Sequence, residues 1–202
     1  MTEADALPTV HDSVVHMLQD AAERRPDAIA LKSGSIQLTY RDYAHSVATL
    51  THQLVDLGAR GERVALLMGN SIDMVIAMFA IHAAGAQAVP INPLYTAREV
   101  QYILSDAVPV ATIHDLGVSD LISPLQDNGT RIAAGGTDFI KTGETPLAQP
   151  FPAPDDPATL QYTGGTTGYP KGVNITHRQM SVNISQREAI LPTGPDNESI
   201  VC

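Results

Sequence analysis

Short β-rich runs alternate with helix-sized segments from residue 29 to residue 134, and this alternation limits the fold more than any other feature. The runs lie at 29–32, 36–39, 63–68, 86–90, 110–114 and 131–134. The later ones are apolar without interruption, as in Val64-Ala65-Leu66-Leu67-Met68. A strand with no polar face needs cover on both sides, which is the signature of a parallel sheet between helices. The chain is therefore expected to be α/β, a layered and mostly parallel sheet with helices on both faces. The first two runs are joined through Ser33-Gly34-Ser35 and read as a hairpin.

The intervening helices carry their own start signals. Thr39 with Asp42 opens one whose apolar face is Tyr43, Val47, Leu50, Leu54 and Leu57, and Gly58 stops it. Asn70 with Asp73 is expected to open the next, which is apolar nearly all round and so should be buried. Thr96 with Glu99 opens a third that ends near Asp106. An earlier helix, from about Asp12 to Arg24, is stopped by Pro26. Proline-rich composition then marks 141–157 as an extended connector.

The connector leads to a probable strand, 158–162, and then to Tyr162-Thr163-Gly164-Gly165-Thr166-Thr167-Gly168-Tyr169-Pro170-Lys171-Gly172. Glycines let a backbone approach an anion without a Cβ in the way. Successive N–H groups of such a turn form an anion-binding nest. Thr163, Thr166 and Thr167 add hydroxyl donors, and Lys171 adds a positive charge. A Walker A loop needs Ser or Thr after its Gly-Lys, and here Lys171 lies between Pro170 and Gly172. The dinucleotide fingerprint also fails, because it carries no Lys or Thr cluster. A return strand at 172–175 and a capping box at Thr176 and Gln179, opening a helix to about Glu188, place the loop between two strands.

This loop resembles the phosphate-binding motif of the acyl-adenylate-forming (AMP-binding) enzymes, with Gly164 where Ser is the commoner spelling. The glycine form after Leu160-Gln161 is similar to bacterial medium- and long-chain fatty acyl-CoA ligases. So are Val89-Pro90-Ile91-Asn92-Pro93-Leu94-Tyr95-Thr96-Ala97-Arg98-Glu99 and the opening from Arg25-Pro26-Asp27 to Leu38-Thr39-Tyr40. The resemblance implies the N-terminal subdomain of the adenylate-forming fold, truncated: an α/β subdomain over 1–140, the connector over 141–157, and an incomplete phosphate-loop segment over 158–202. It implies ATP, Mg²⁺ and coenzyme A as reaction partners and a carboxylic acid, of fatty type, as substrate. Thr163, Gly164, Gly165, Thr166, Thr167, Gly168 and Lys171 would hold the ATP phosphates. Lys171 and Thr163 would act in catalysis, with Thr163 the one side chain considered for the metal. The later family motifs have no counterpart before Cys202. The chain is accordingly expected to be inactive alone, to lack the C-terminal part of the same enzyme, and to self-associate through uncovered apolar faces. An aryl-CoA ligase, a peptide-synthetase adenylation domain and a non-catalytic nucleotide-binding remnant stand as alternatives.

A net charge of −10 and a pI near 4.9 argue against a nucleic-acid partner. The single cysteine, Cys202, excludes an internal disulfide, and the seven histidines show no metal-ligand spacing. His177 reads as a structural residue at a helix start, and Asp155-Asp156 as solvated connector charges. The acidic N-terminus lacks a secretory pattern, so the chain is expected to be cytoplasmic and the sequons at Asn128, Asn174, Asn183 and Asn197 to be chance. The apolar stretch 74–91 breaks into helix, turn and strand, so no transmembrane segment is expected, and peripheral membrane contact stays open.

Overall fold

The computed structural model describes residues 8–126, 129–164 and 170–192. Helix α1 (Val14–Arg24) precedes a two-stranded antiparallel sheet of β1 (Ile29–Ser33) and β2 (Ile36–Thr39). Gly34 turns this hairpin with φ of 58°, a left-handed conformation that costs glycine nothing. Helix α2 (Tyr40–Asp56) leads to β3 (Arg63–Leu67), α3 (Ile72–Ala83), β4 (Gln87–Pro90), α4 (Ala97–Ala107) and β5 (Ala111–Asp115). A 3-10 turn (Leu116–Val118) and the short α5 (Ser119–Ile122), neither foreseen from the sequence, precede β6 (Thr130–Ala134). The chain then reaches β7 (Pro157–Thr163), β8 (Lys171–Thr176) and α6 (His177–Ile190).

Six strands form the main sheet in the order β6-β5-β3-β4-β7-β8, all parallel except the last pair. Side chains of β3 alternate between two cores, as the pleat requires. Val64 and Leu66 join α1, α2 and α3 on one face, while Ala65 and Leu67 join α4 and α5 on the other. Both sets are buried, which is why the strand shows no polar alternation. Pro90, with no N–H to give a ladder, ends β4.

The caps show how local sequence sets each helix. Thr39, Thr96 and Thr176 accept from the N–H three residues on, and the last two complete capping boxes with Glu99 and Gln179. The expected cap at Asn70 is corrected. Ser71 Oγ accepts from the Met74 N–H at 3.1 Å, and Asp73, fully buried, serves another purpose. Its carboxylate accepts the N–H groups of Asp138 (2.8 Å) and Phe139 (2.9 Å), pinning the chain after β6 onto α3. Both Asn70 and Ser71 can cap; starting the helix one residue later turns Asp73 inward.

The connector is extended but held. Ser46 Oγ accepts from the Lys141 N–H at 2.9 Å, His45 Nδ1 accepts from the Thr145 N–H at 2.7 Å, and the Phe151 ring meets His16 edge-on. These contacts carry the chain across α2 and α1 to β7.

Candidate nucleotide phosphate site

Strands β7 and β8 form an antiparallel hairpin at one edge of the sheet, with Tyr162 opposite Gly172 and Thr163 opposite Lys171. Because β7 runs parallel to β3 and β4, the loop end of the hairpin lies at the C-terminal edge of those strands. The connections leaving β3 and β4 go to opposite faces there, through α3 and α4. Open α/β sheets bind ligands at such a switch point.

Of the residues expected to hold phosphate, the structure describes Thr163, Gly164 and Lys171. Thr163 and Lys171 are brought together, with Thr163 Oγ1 within 3.5 Å of the Lys171 carbonyl oxygen, and both side chains are exposed. Lys171 has no ion-pair partner among the described residues. A Cβ on Gly164 would meet nothing within 4 Å, so the space beside its backbone is open. Gly165, Thr166, Thr167 and Gly168, expected to complete the cradle, lie outside the described residues, as does Tyr169.

Gly172 differs from Gly164. A Cβ there would stand 2.9 Å from Leu160 Cδ1, so Leu160 would have to shift, while Tyr162 Cζ at 3.4 Å would be in ordinary contact. Tyr162 is buried, and its hydroxyl donates to Asp106 Oδ2 at 2.5 Å. Burial, then the bond to Asp106, pushes the phenol well above its ordinary value, so it stays a donor. Sequence reasoning missed this contact. A signal did exist, since a carboxylate in the last turn of α4 opposes the helix dipole and invites another explanation.

Below the hairpin, His177 begins α6 and is fully buried, its ring edge-on to His82 of α3 with centroids 5.2 Å apart. Burial, reinforced by His177, drives the His82 imidazole down to about 3, against the pull of the Ala158 backbone. Neither ring reaches a hydrogen-bond partner in good geometry among the described residues. Burial likewise takes His177 to about 4, with Asp156 opposing and His16 adding to the shift. Both are neutral packing groups. Asp155 is not simply solvated: it accepts from Arg178 Nε at 2.7 Å and Nη2 at 3.0 Å, and that bond lowers its pKa. Asp156 accepts from the Ala153 N–H at 2.8 Å. Among the described residues no helix is long and apolar enough to cross a membrane.

A profile of the AMP-binding enzyme family matches residues 18–202. The chain belongs to the AMP-binding enzyme family. An isonitrile lipopeptide synthase of Mycobacterium tuberculosis is 37% identical over 185 residues, covering 89% of this chain and 7% of that protein. A medium/long-chain-fatty-acid–CoA/3-oxocholest-4-en-26-oate–CoA ligase of Mycolicibacterium smegmatis is 31% identical over 186 residues, 83% of this chain and 34% of the ligase. Among solved structures, the inhibitor-bound N-terminal domain of FACL13 from Mycobacterium tuberculosis superposes with a TM-score of 0.74 at 30% identity. That match covers 83% of this chain and 45% of that one. This AMP-binding chain thus spans a minor part of the length of its relatives.

Proposed function

We propose that the chain is the N-terminal, phosphate-binding part of an ATP-dependent acid–thiol ligase. In the complete reaction a carboxylate oxygen attacks the α-phosphorus of ATP and pyrophosphate leaves, giving an acyl-adenylate. A thiol, that of coenzyme A, then takes the acyl group and AMP departs. The observation that carries this reading is the pairing of Thr163 with Lys171 at the loop end of an edge hairpin. Adenylyl transfer asks for positioning and charge neutralisation more than covalent help.

The donors present suit a polyphosphate: an exposed hydroxyl, an exposed ammonium, and glycine backbone with open space beside it. In this proposal Thr163, Gly164, Gly165, Thr166, Thr167, Gly168 and Lys171 cradle the β- and γ-phosphates. Lys171 balances charge on the departing pyrophosphate. Mg²⁺ would enter with the nucleotide and neutralise phosphate charge, and Thr163 would be the side chain to serve it. In this proposal the protein is cytoplasmic and the acid is of fatty type, the latter supported by the fatty-acid ligases among its relatives. A second reading, an amino-acid-activating domain, is favoured by the 37% identity to a lipopeptide synthase.

The 202-residue chain should bind Mg-ATP yet show no acid-dependent ATP–pyrophosphate exchange with fatty or amino acids. Exchange by the purified chain would overturn its assignment as an incomplete catalyst. Absence of Mg-ATP binding in calorimetry would overturn the phosphate site itself.

A further inference from the structure

The hairpin poses a mechanical problem. Among the described residues strand β8 pairs on one side only, and four of its six residues are exposed. Its near end is fixed where the His177 N–H donates to the Asp156 carbonyl at 3.2 Å. Its far end, where Thr163 and Lys171 stand, has no such backbone tie to the body of the protein among the described residues. Tyr162 supplies a side-chain tie instead. Its ring fills the second apolar core with Leu160, lies against Gly172, and extends its hydroxyl to Asp106, 56 residues earlier. The end of α4 that receives it is itself secured, because Arg63 Nη1 donates to the Ala107 carbonyl at 3.0 Å.

We infer that Tyr162 and Asp106 are positioning residues: their hydroxyl–carboxylate bond, with the ring seated on Gly172, clamps the loop end of the hairpin to α4 and holds Thr163 and Lys171 for phosphate. The last part rests on the function proposed above; the clamp itself does not. A hydroxyl–carboxylate bond is among the stronger kinds, and the other ties of the strand pair, Thr159 against β4 and Gln87 Nε2 donating to Asn174 Oδ1 at 2.8 Å, lie farther from Thr163 and Lys171. Asp106 meets solvent, so replacing it leaves no buried charge stranded.

The test compares Tyr162→Phe, Asp106→Ala and Asp106→Asn in the 202-residue chain. Amide hydrogen exchange is followed separately in the hairpin (162–163 and 171–173) and in β3 and β5, alongside Mg-ATP titration. Tyr162→Phe and Asp106→Ala should speed hairpin exchange about tenfold, leave β3 and β5 unchanged, and weaken Mg-ATP binding by a similar factor. Asp106→Asn, whose amide oxygen still accepts, should stay near wild type in both. Unchanged hairpin exchange would overturn the clamp, as would equal loosening of β3 and β5, which marks a general loss of stability. If Tyr162→Phe fails to fold, the surface substitutions at Asp106 decide by the same criteria. If the wild type binds no Mg-ATP, the proposed function fails while the exchange comparison still decides the clamp.

Discussion

Strands β3 and β8 belong to one sheet but live in different surroundings. In β3 every residue after Arg63 is buried, each face is covered by helices, and both edges are paired. In β8 one edge is unpaired among the described residues, Val173 is 48% exposed, and the last two residues are half-covered. The first region buys stability; the second leaves its donors uncommitted. A phosphate site needs that second condition, because N–H groups and an ammonium already satisfied within the protein have nothing to offer a ligand.

The comparison breaks most readily in the core. Leu67→Ala should cost about 2–5 kcal/mol, the range for a buried leucine whose cavity cannot collapse, read by urea unfolding. If it costs no more than Val173→Ala in β8, the contrast drawn here is wrong. Acid should come next. His82 and His177 have folded-state pKa values of about 3 and about 4, below the ordinary 6.5, so protons favour the unfolded chain. Stability is fully present above pH 6.5 and falls as pH drops toward 4 and then 3, by roughly 2 kcal/mol per ring at pH 5. His82→Phe should flatten that slope between pH 6.5 and 4; an unaltered slope would remove the pair from the account. Thr176→Ala, which deletes the α6 capping hydroxyl, should cost about 1 kcal/mol in the same unfolding assay. Val173→Ala should lie within about 0.5 kcal/mol of wild type.

What could be read from the sequence follows the range of the interactions. The alternation of apolar strands with helices, the caps at Thr39, Thr96 and Thr176, and the strand-to-strand setting of the glycine loop depend on residues a few positions apart. Each is present in the structure. The start of α3 was misplaced by one residue because two adjacent side chains can both cap, and only packing against residues 138–139 chooses between them. The connector shows its composition but not its attachments, since His45 and Ser46 meet it about a hundred residues away in sequence. The His82–His177 contact and the Tyr162–Asp106 bond are of the same long-range kind. The candidate site was therefore legible as a motif and a charge, while the contacts that steady it were not.

Calorimetric titration of Mg-ATP into the wild-type chain and into Lys171→Ala tests the central claim most directly. The variant should unfold at the wild-type temperature, because Lys171 is exposed and has no ion-pair partner among the described residues. Its Mg-ATP affinity should fall at least tenfold, about 1.4 kcal/mol or more. Equal affinity in the two proteins would contradict the assignment of this hairpin as the phosphate site.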